Sequence, residues 1–145
     1  MIYLLDASAL VELFLSLNAS KLINILDKCC ILDLTIYEFC NALWKLAKLR
    51  GKIDEETAIT GAKLLEKLVS GKIIRVVCPH TSLEARMKKS LQHYLNAYDA
   101  AYMHTAKNNN LILVTEDPGM HSNAKTIFNL EVLSTSEFLR TIPKK

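Results

Sequence analysis

Four short apolar runs, "IYLL", "CCILDL", "KIIRVV" and "LILVT", recur along the chain, separated by stretches with helical spacing. Runs of this length without polar alternation fit strands covered on both faces, as in parallel sheets. Parallel neighbours need crossovers long enough to hold a helix, and the intervening segments supply them. "SALVELFLSLN" and "SKLINILDK" read as two short helices separated near Asn18. "TIYEFCNALWKLAKLRG" reads as a helix capped by Thr35 and stopped by Gly51; a second helix runs from Asp54 to about Val69, and the two form a helical hairpin. "TSLEARMKKSLQHY" and "NAYDAAYMHTAKNNN" read as two more helices, and "LEVLS" as a weaker fifth strand. The pattern predicts an α/β fold, with helices on both faces of a parallel sheet of about five strands.

At 145 residues, 1–145 fits one domain. Half the residues are hydrophobic, with only four glycines and three prolines, which excludes a disordered chain. A net charge of +3 permits a nucleic-acid partner without arguing for one. Cys29, Cys30, Cys40 and Cys78 have no C-x-x-C spacing and lie in apolar contexts, which suggests buried free thiols and a reducing, cytoplasmic setting. The apolar opening "MIYLLDASALVELFLSL" lacks a basic start and is interrupted by Asp6 and Glu12, so it reads as neither targeting signal nor membrane span.

Carboxylates stand at comparable places in this pattern. Asp6 follows the first strand, Glu38 lies in the first turn after the second, Asp99 opens a helix, and Asp117 follows the fourth strand. In open α/β sheets ligands bind outside the carboxyl ends of the strands, where these segments converge. Helix punctuation explains each acid singly. Thr35 with Glu38 makes a T-x-x-E capping box, Asn96 with Asp99 has the same spacing, Asp6 suits a cap for the helix near Ser8, and Asp117 precedes Pro118 as an N-cap precedes N1.

Capping does not explain the combination, in which "DAS", "EFCN" and "YDAAY" repeat small polar partners such as Ser8 and Asn41 beside the acids. Two like charges about 5 Å apart repel by roughly 3 kcal/mol at an effective dielectric constant near 20. Helix N-termini offset only part of that, typically about 0.3–1 kcal/mol each. The remainder points to a hard divalent cation, Mg²⁺ or Mn²⁺, since no His or Cys ligand accompanies the four acids.

"LLDASALV", "TIYEFCNAL", "NAYDAAYMHTA" and "LVTEDPGM" resemble, in order and over nearly the whole chain, the four acidic motifs of PIN-domain ribonucleases, particularly the small toxin nucleases called VapC. The resemblance implies a three-layer α/β/α sandwich and an endonuclease that cuts single-stranded RNA with Mg²⁺ or Mn²⁺. For the toxins it also implies inhibition by a partner antitoxin. It assigns catalysis and metal binding to Asp6, Glu38, Asp99 and Asp117, and substrate positioning to Ser8, Asn41 and Thr115. Glu116 stands beside Asp117 as a rival fourth acid. His104 reads as a surface or packed histidine.

Lys45, Lys48 and Lys52, and Arg86, Lys88 and Lys89, form basic clusters that would guide RNA or simply solvate amphipathic faces. Trp44, Tyr94, Tyr98 and Tyr102 would stack on bases or fill the core. Phe39, Leu43, Trp44, Leu64, Leu65 and Leu68 make the hairpin a candidate partner surface for a homodimer or an antitoxin helix. Two rival functions stay open: a catalytically silent RNA- or protein-binding module, and a metal-dependent phosphohydrolase, although the D-x-D signature of one such class is absent because position 8 is serine.

Overall fold

Along the central strand Tyr3 and Leu5 pack on one side of the sheet and Leu4 on the other, and all three are buried. The second strand repeats this, with Cys29 and Ile31 on the first side and Cys30 and Leu32 on the second. A sheet buried on both faces needs two helical layers. The structure, a computed structural model that describes residues 2–79 and 82–143, has both.

The elements run β1 Tyr3–Leu5, α1 Ala7–Ser16, α2 Ala19–Leu26, β2 Cys29–Leu32, α3 Asp33–Trp44 with a π-helical extension Lys45–Leu49, and α4 Glu55–Ser70. They continue as β3 Arg75–Val77, α5 Leu83–His93, α6 Ala97–Asn108, β4 Ile112–Val114, α7 Pro118–Phe128, β5 Val132–Leu133 and α8 Thr135–Thr141. All paired strands are parallel, in the order β3-β2-β1-β4-β5. Core residues of α1–α4 and α8 pack on one face, those of α6 and α7 on the other. The three-layer α/β/α sandwich is borne out. Strand order reverses at β1, which sets the crevice outside the carboxyl ends of β1 and β4.

Local readings shift where turn chemistry outweighs the apolar run. β2 ends at Leu32 and α3 starts at Asp33, so Thr35 is not the N-cap; its Oγ1 accepts the Leu32 amide at 3.0 Å from inside the first turn. Glu38 therefore lies in the second turn and closes no capping box. "KIIRVV" shortens to Arg75–Val77 because the amides of Ile73 and Ile74 both return to the Leu68 carbonyl, closing the end of α4. The start read at Thr81 lies outside the described residues. α8, unmarked in the sequence reading, is a capped helix: Ser134 and Glu137 form a reciprocal S-x-x-E box, and buried Phe138 meets Tyr3 edge-on at 4.8 Å.

The hairpin reading needs correction. Phe39, Leu43, Leu65 and Leu68 are core, Leu64 is half-buried, and only Trp44 of the six is an exposed side chain. Close approach is why: a Cβ on Gly61 of α4 would come within 2.6 Å of Leu43 Cδ1 and 2.9 Å of Phe14 Cζ, so glycine lets α4 seat against α1 and α3. The cysteine reading holds by halves. All four are free, but Cys40 and Cys78 are exposed while Cys29 and Cys30 are buried. Among the described residues no helix is long and apolar enough to cross a membrane.

Candidate active site

Asp6 is placed by two elements at once. Its amide donates to the Val114 carbonyl at 3.1 Å, the last link between β1 and β4, and its Oδ1 accepts the Ala9 amide at 2.8 Å as the N-cap of α1. Two hydroxyls complete the corner. Ser8 Oγ donates to Asp6 Oδ1 at 2.7 Å, and Thr115 Oγ1 donates to Asp6 Oδ2. The same hydroxyls accept backbone amides from the loop after β4, Ser8 from Glu116 at 2.9 Å and Thr115 from Asp117 at 3.0 Å. Ser8 and Thr115 thus tie the two loops together through the Asp6 carboxylate.

Asp117 caps α7, accepting the Met120 amide at 2.8 Å with Pro118 in the first turn. Asp99 lies in the first turn of α6, where its amide donates to Asn96 Oδ1 at 2.8 Å and Asn96 Nδ2 donates to its Oδ2 at 2.9 Å. The capping readings of Asp6 and Asp117 are therefore borne out; Asn96 caps α6, but Asp99 meets its side-chain amide and not its backbone, so the pair closes no reciprocal box. Glu38 is held differently: Tyr102 donates its hydroxyl to Glu38 Oε2 at 2.7 Å. Thr35 Oγ1 is 2.7 Å from the Tyr102 oxygen and, with the tyrosine proton spent on Glu38, is the donor there. A relay thus runs from the end of β2 to the carboxylate.

All four carboxylates line one cavity of about 260 Å³, with Ser8, Asn41, Lys45 and Tyr102 also in its wall. Thr115 contributes from behind, through Asp6. Two lining residues escaped the sequence reading. Tyr102, there grouped with aromatics available for stacking, is 1% exposed and serves Glu38. Lys45, there grouped with Lys48 and Lys52 as an RNA-guiding or solvated cluster, follows Glu38 and Asn41 by seven and four residues, the spacing of one helical face; that spacing was the available signal. Its former companion Lys48 instead pairs with Glu55. Glu116 does not line the cavity: its carboxylate accepts the amide of Thr135 at 2.6 Å and the hydroxyl of the same residue, at the start of α8. His104 packs edge-on at 6.0 Å from Phe128, as read.

The electrostatics link the acids in sequence. Burial raises Asp6 to about 6 against the opposing hydrogen bonds of Thr115, Ala9 and Ser8, and the charge of Glu38 adds to the rise. Burial likewise raises Glu38, with the Tyr102 hydrogen bond opposing and Asp99 adding. Asp99 is raised by burial, opposed by Asn96 and reinforced by Asp117. Among the described residues none of the four is in an ion pair. Nor do any three His, Cys, Asp or Glu side chains already stand gathered around a single point as a finished metal site. The donor set is of the kind a hard cation takes: carboxylate oxygens in one cavity, where Glu38 raises Asp6, Asp99 raises Glu38 and Asp117 raises Asp99.

Comparison with known proteins agrees with the fold. The sequence profile of the PIN domain matches residues 3–126. The chain is 36% identical over 131 residues to a protein named Exonuclease VapC9 from Pyrobaculum aerophilum, covering 90% of this chain and 92% of the relative. It resembles the crystal structure of PAE2754 from Pyrobaculum aerophilum with a TM-score of 0.74 and 33% identity, over 97% of this chain and 96% of the other. The DNA-bound VapBC structure from Salmonella typhimurium shares the fold at a TM-score of 0.63 and 12% identity, over 93% and 98% of the two chains.

Proposed function

The chain belongs to the PIN-domain family, and from that premise we propose that it is a metal-dependent endoribonuclease acting on single-stranded RNA, the toxin of a toxin–antitoxin pair. The observation that carries the reading is the convergence of Asp6, Glu38, Asp99 and Asp117 on one cavity with, among the described residues, no cationic partner in ion-pair contact. These four would hold Mg²⁺ or Mn²⁺. When bound, such an ion activates water and neutralises charge on a phosphodiester.

The protein's own residues perform the rest. Ser8 and Thr115 fix both oxygens of Asp6, and the Thr35–Tyr102 relay fixes one oxygen of Glu38. Two of the carboxylates are thereby spared reorganisation when a charged substrate arrives. Asn41 and Lys45 offer an amide and an ammonium to the phosphate, and Lys45 is the cation among the lining side chains. Asp117 is preferred to Glu116 as the fourth acid because Glu116 spends its carboxylate on Thr135.

The partner we infer is an antitoxin. The VapBC fold neighbour supports that reading, as does an apolar groove of about 280 Å³ between α3 and α4, lined by Trp44, Ala47, Ala58 and Ile59. A homodimer would use the same kind of apolar cover.

A circular RNA and the linear RNA of the same sequence test the reaction. Opening of the circle with Mn²⁺ or Mg²⁺, stopped by chelator and by Asp99→Asn, is the expected result. Shortening of the linear RNA from its ends with the circle intact is the exonucleolytic reading, favoured by the name of the 36%-identical relative. Hydrolysis of neither leaves the silent binding module.

A further inference from the structure

Outside the acid cavity, two clefts meet at His104 on α6. One, of about 280 Å³, is polar and is lined by Arg86, His104, Thr105 and Asn108 together with the chain leaving β3. The other, of about 170 Å³, has Ile127 and Phe128 as an apolar floor and Lys89 and Lys107 at its rim. No carboxylate lines either cleft among the described residues.

The side chains there are arranged rather than merely collected. Lys89 Nζ lies 5.9 Å from the centre of the Phe128 ring, the His104 ring meets Phe128 at 74°, and Arg86 donates to the Pro79 carbonyl from a buried position. Lys88, the neighbour of Lys89, is by contrast paired with Glu84 on the outer surface of α5. His104 is held below its usual range, first by burial and then by the charges of Arg86 and Lys89. A neutral ring over an apolar floor suits a stacked base, and lysines at the rim suit its phosphates.

We propose that the joined clefts are a second, non-catalytic binding site for single-stranded RNA, with a base lodged against Ile127, Phe128 and His104 and the flanking phosphates met by Lys89 and Lys107. The inference rests on the ribonuclease reading for its choice of RNA. α6 supplies the connection. Asp99 stands in its first turn and Lys107 about 12 Å further along its axis, so a strand leaving the cavity along α6 reaches the clefts.

The test is anisotropy of a labelled single-stranded oligoribonucleotide across a salt series in chelator, where no cleavage intervenes. The variant K89Q/K107Q should bind about tenfold more weakly, and its slope of log affinity against log salt should fall by about 1.4, the share of two phosphate contacts to a single strand. K63Q/K67Q on the exposed face of α4 makes the same change in net charge and should leave both unchanged. Lys107→Gln alone, at an exposed position, should lower the slope by about 0.7 and guards against misfolding of the double variant.

Equal losses in both double variants would reduce the effect to net charge and overturn the site. RNA binding unchanged in K89Q/K107Q, as expected of a surface for an acidic protein segment, or absent in the wild type, overturns it too. With Mn²⁺ present, K89Q/K107Q should raise KM on a long RNA at unchanged kcat. If the wild type binds but hydrolyses nothing, the nuclease reading fails while the binding series still decides this site.

Discussion

The corners after β1 and after β4 are built alike and behave differently. Each has an aspartate that caps the next helix, Asp6 for α1 and Asp117 for α7, and each caps through Oδ1 to an amide three residues on. Asp6 is 3% exposed, takes two hydroxyl hydrogen bonds besides the cap, and is still raised to about 6. Asp117 sits at the exposed rim of the same cavity. Depth separates them: three good donors do not offset the removal of Asp6 from water, and on the proposed reading a bound cation would restore its charge. Asp117 keeps water as an alternative.

The largest test of that contrast is activity. Asp6→Asn and Asp99→Asn should each lose at least about a hundredfold in metal-dependent cleavage, a few kcal/mol of transition-state stabilisation. Asp117→Asn should lose about tenfold. Equal losses at 6 and 117 would erase the distinction.

Stability without metal comes next, and its sign is opposite to that of ordinary damage. A carboxyl that ionises near 3.8 unfolded and near 6 folded costs up to about 3 kcal/mol at pH 7. Metal-free Asp6→Asn should therefore melt a few degrees above the wild type, less whatever the asparagine amide loses against Ser8 and Thr115. Asp117→Asn should melt near the wild type, because Asn and Asp cap comparably. An Asp6→Asn protein that melts lower in chelator, and a wild type whose Tm ignores Mn²⁺, would return Asp6 to plain capping.

The pH dependence follows with its sign. Between about pH 4 and 6 the folded state holds the Asp6 proton that the unfolded chain has released, so metal-free stability falls as pH rises through that window. Asp6→Asn should flatten this slope. Below about pH 6 protons compete for the carboxylate, so the rise in Tm on adding Mn²⁺ should shrink. Differential scanning at several pH values, with and without Mn²⁺, reads both. The smallest expected effect is that of Glu116→Gln. Cleavage should stay within about twofold, while loss of a charged acceptor for Thr135 costs about 1–2 kcal/mol of stability. A larger loss of activity there would exchange the roles of Glu116 and Asp117.

The sheet was legible because its strands are buried on both faces, so each is a bare apolar run; Leu4 and Leu5 face opposite layers and look alike in sequence. Strand ends were less legible, because Ile73 and Ile74 are as apolar as Val76 but their amides close a helix. The acids at 6 and 117 were legible because capping and the cavity call for the same residue at the same place, and Asp99 because its cap, Asn96, marks the first turn of α6. Tyr102 and Lys45 were not. A buried tyrosine looks like core until its hydroxyl partner across 64 residues is known, and a lysine on a helix looks solvated until the neighbouring element closes a cavity over it.

The span of the Asp6 corner also bears on when the acid cavity is completed. Thr115 lies 109 residues downstream of the carboxylate that it holds. At roughly 5–20 residues per second, synthesis takes several seconds to pass from one to the other. Until β4 has emerged and docked beside β1, Asp6 lacks both the Val114 carbonyl and the Thr115 hydroxyl, and Asp117, three residues past β4, is not yet in place beside it. On the proposed reading, a nascent chain is harmless to the RNAs around the ribosome that is making it until the corner after β4 has been made and docked. That delay leaves a window in which a partner already made could meet the nuclease before its first turnover.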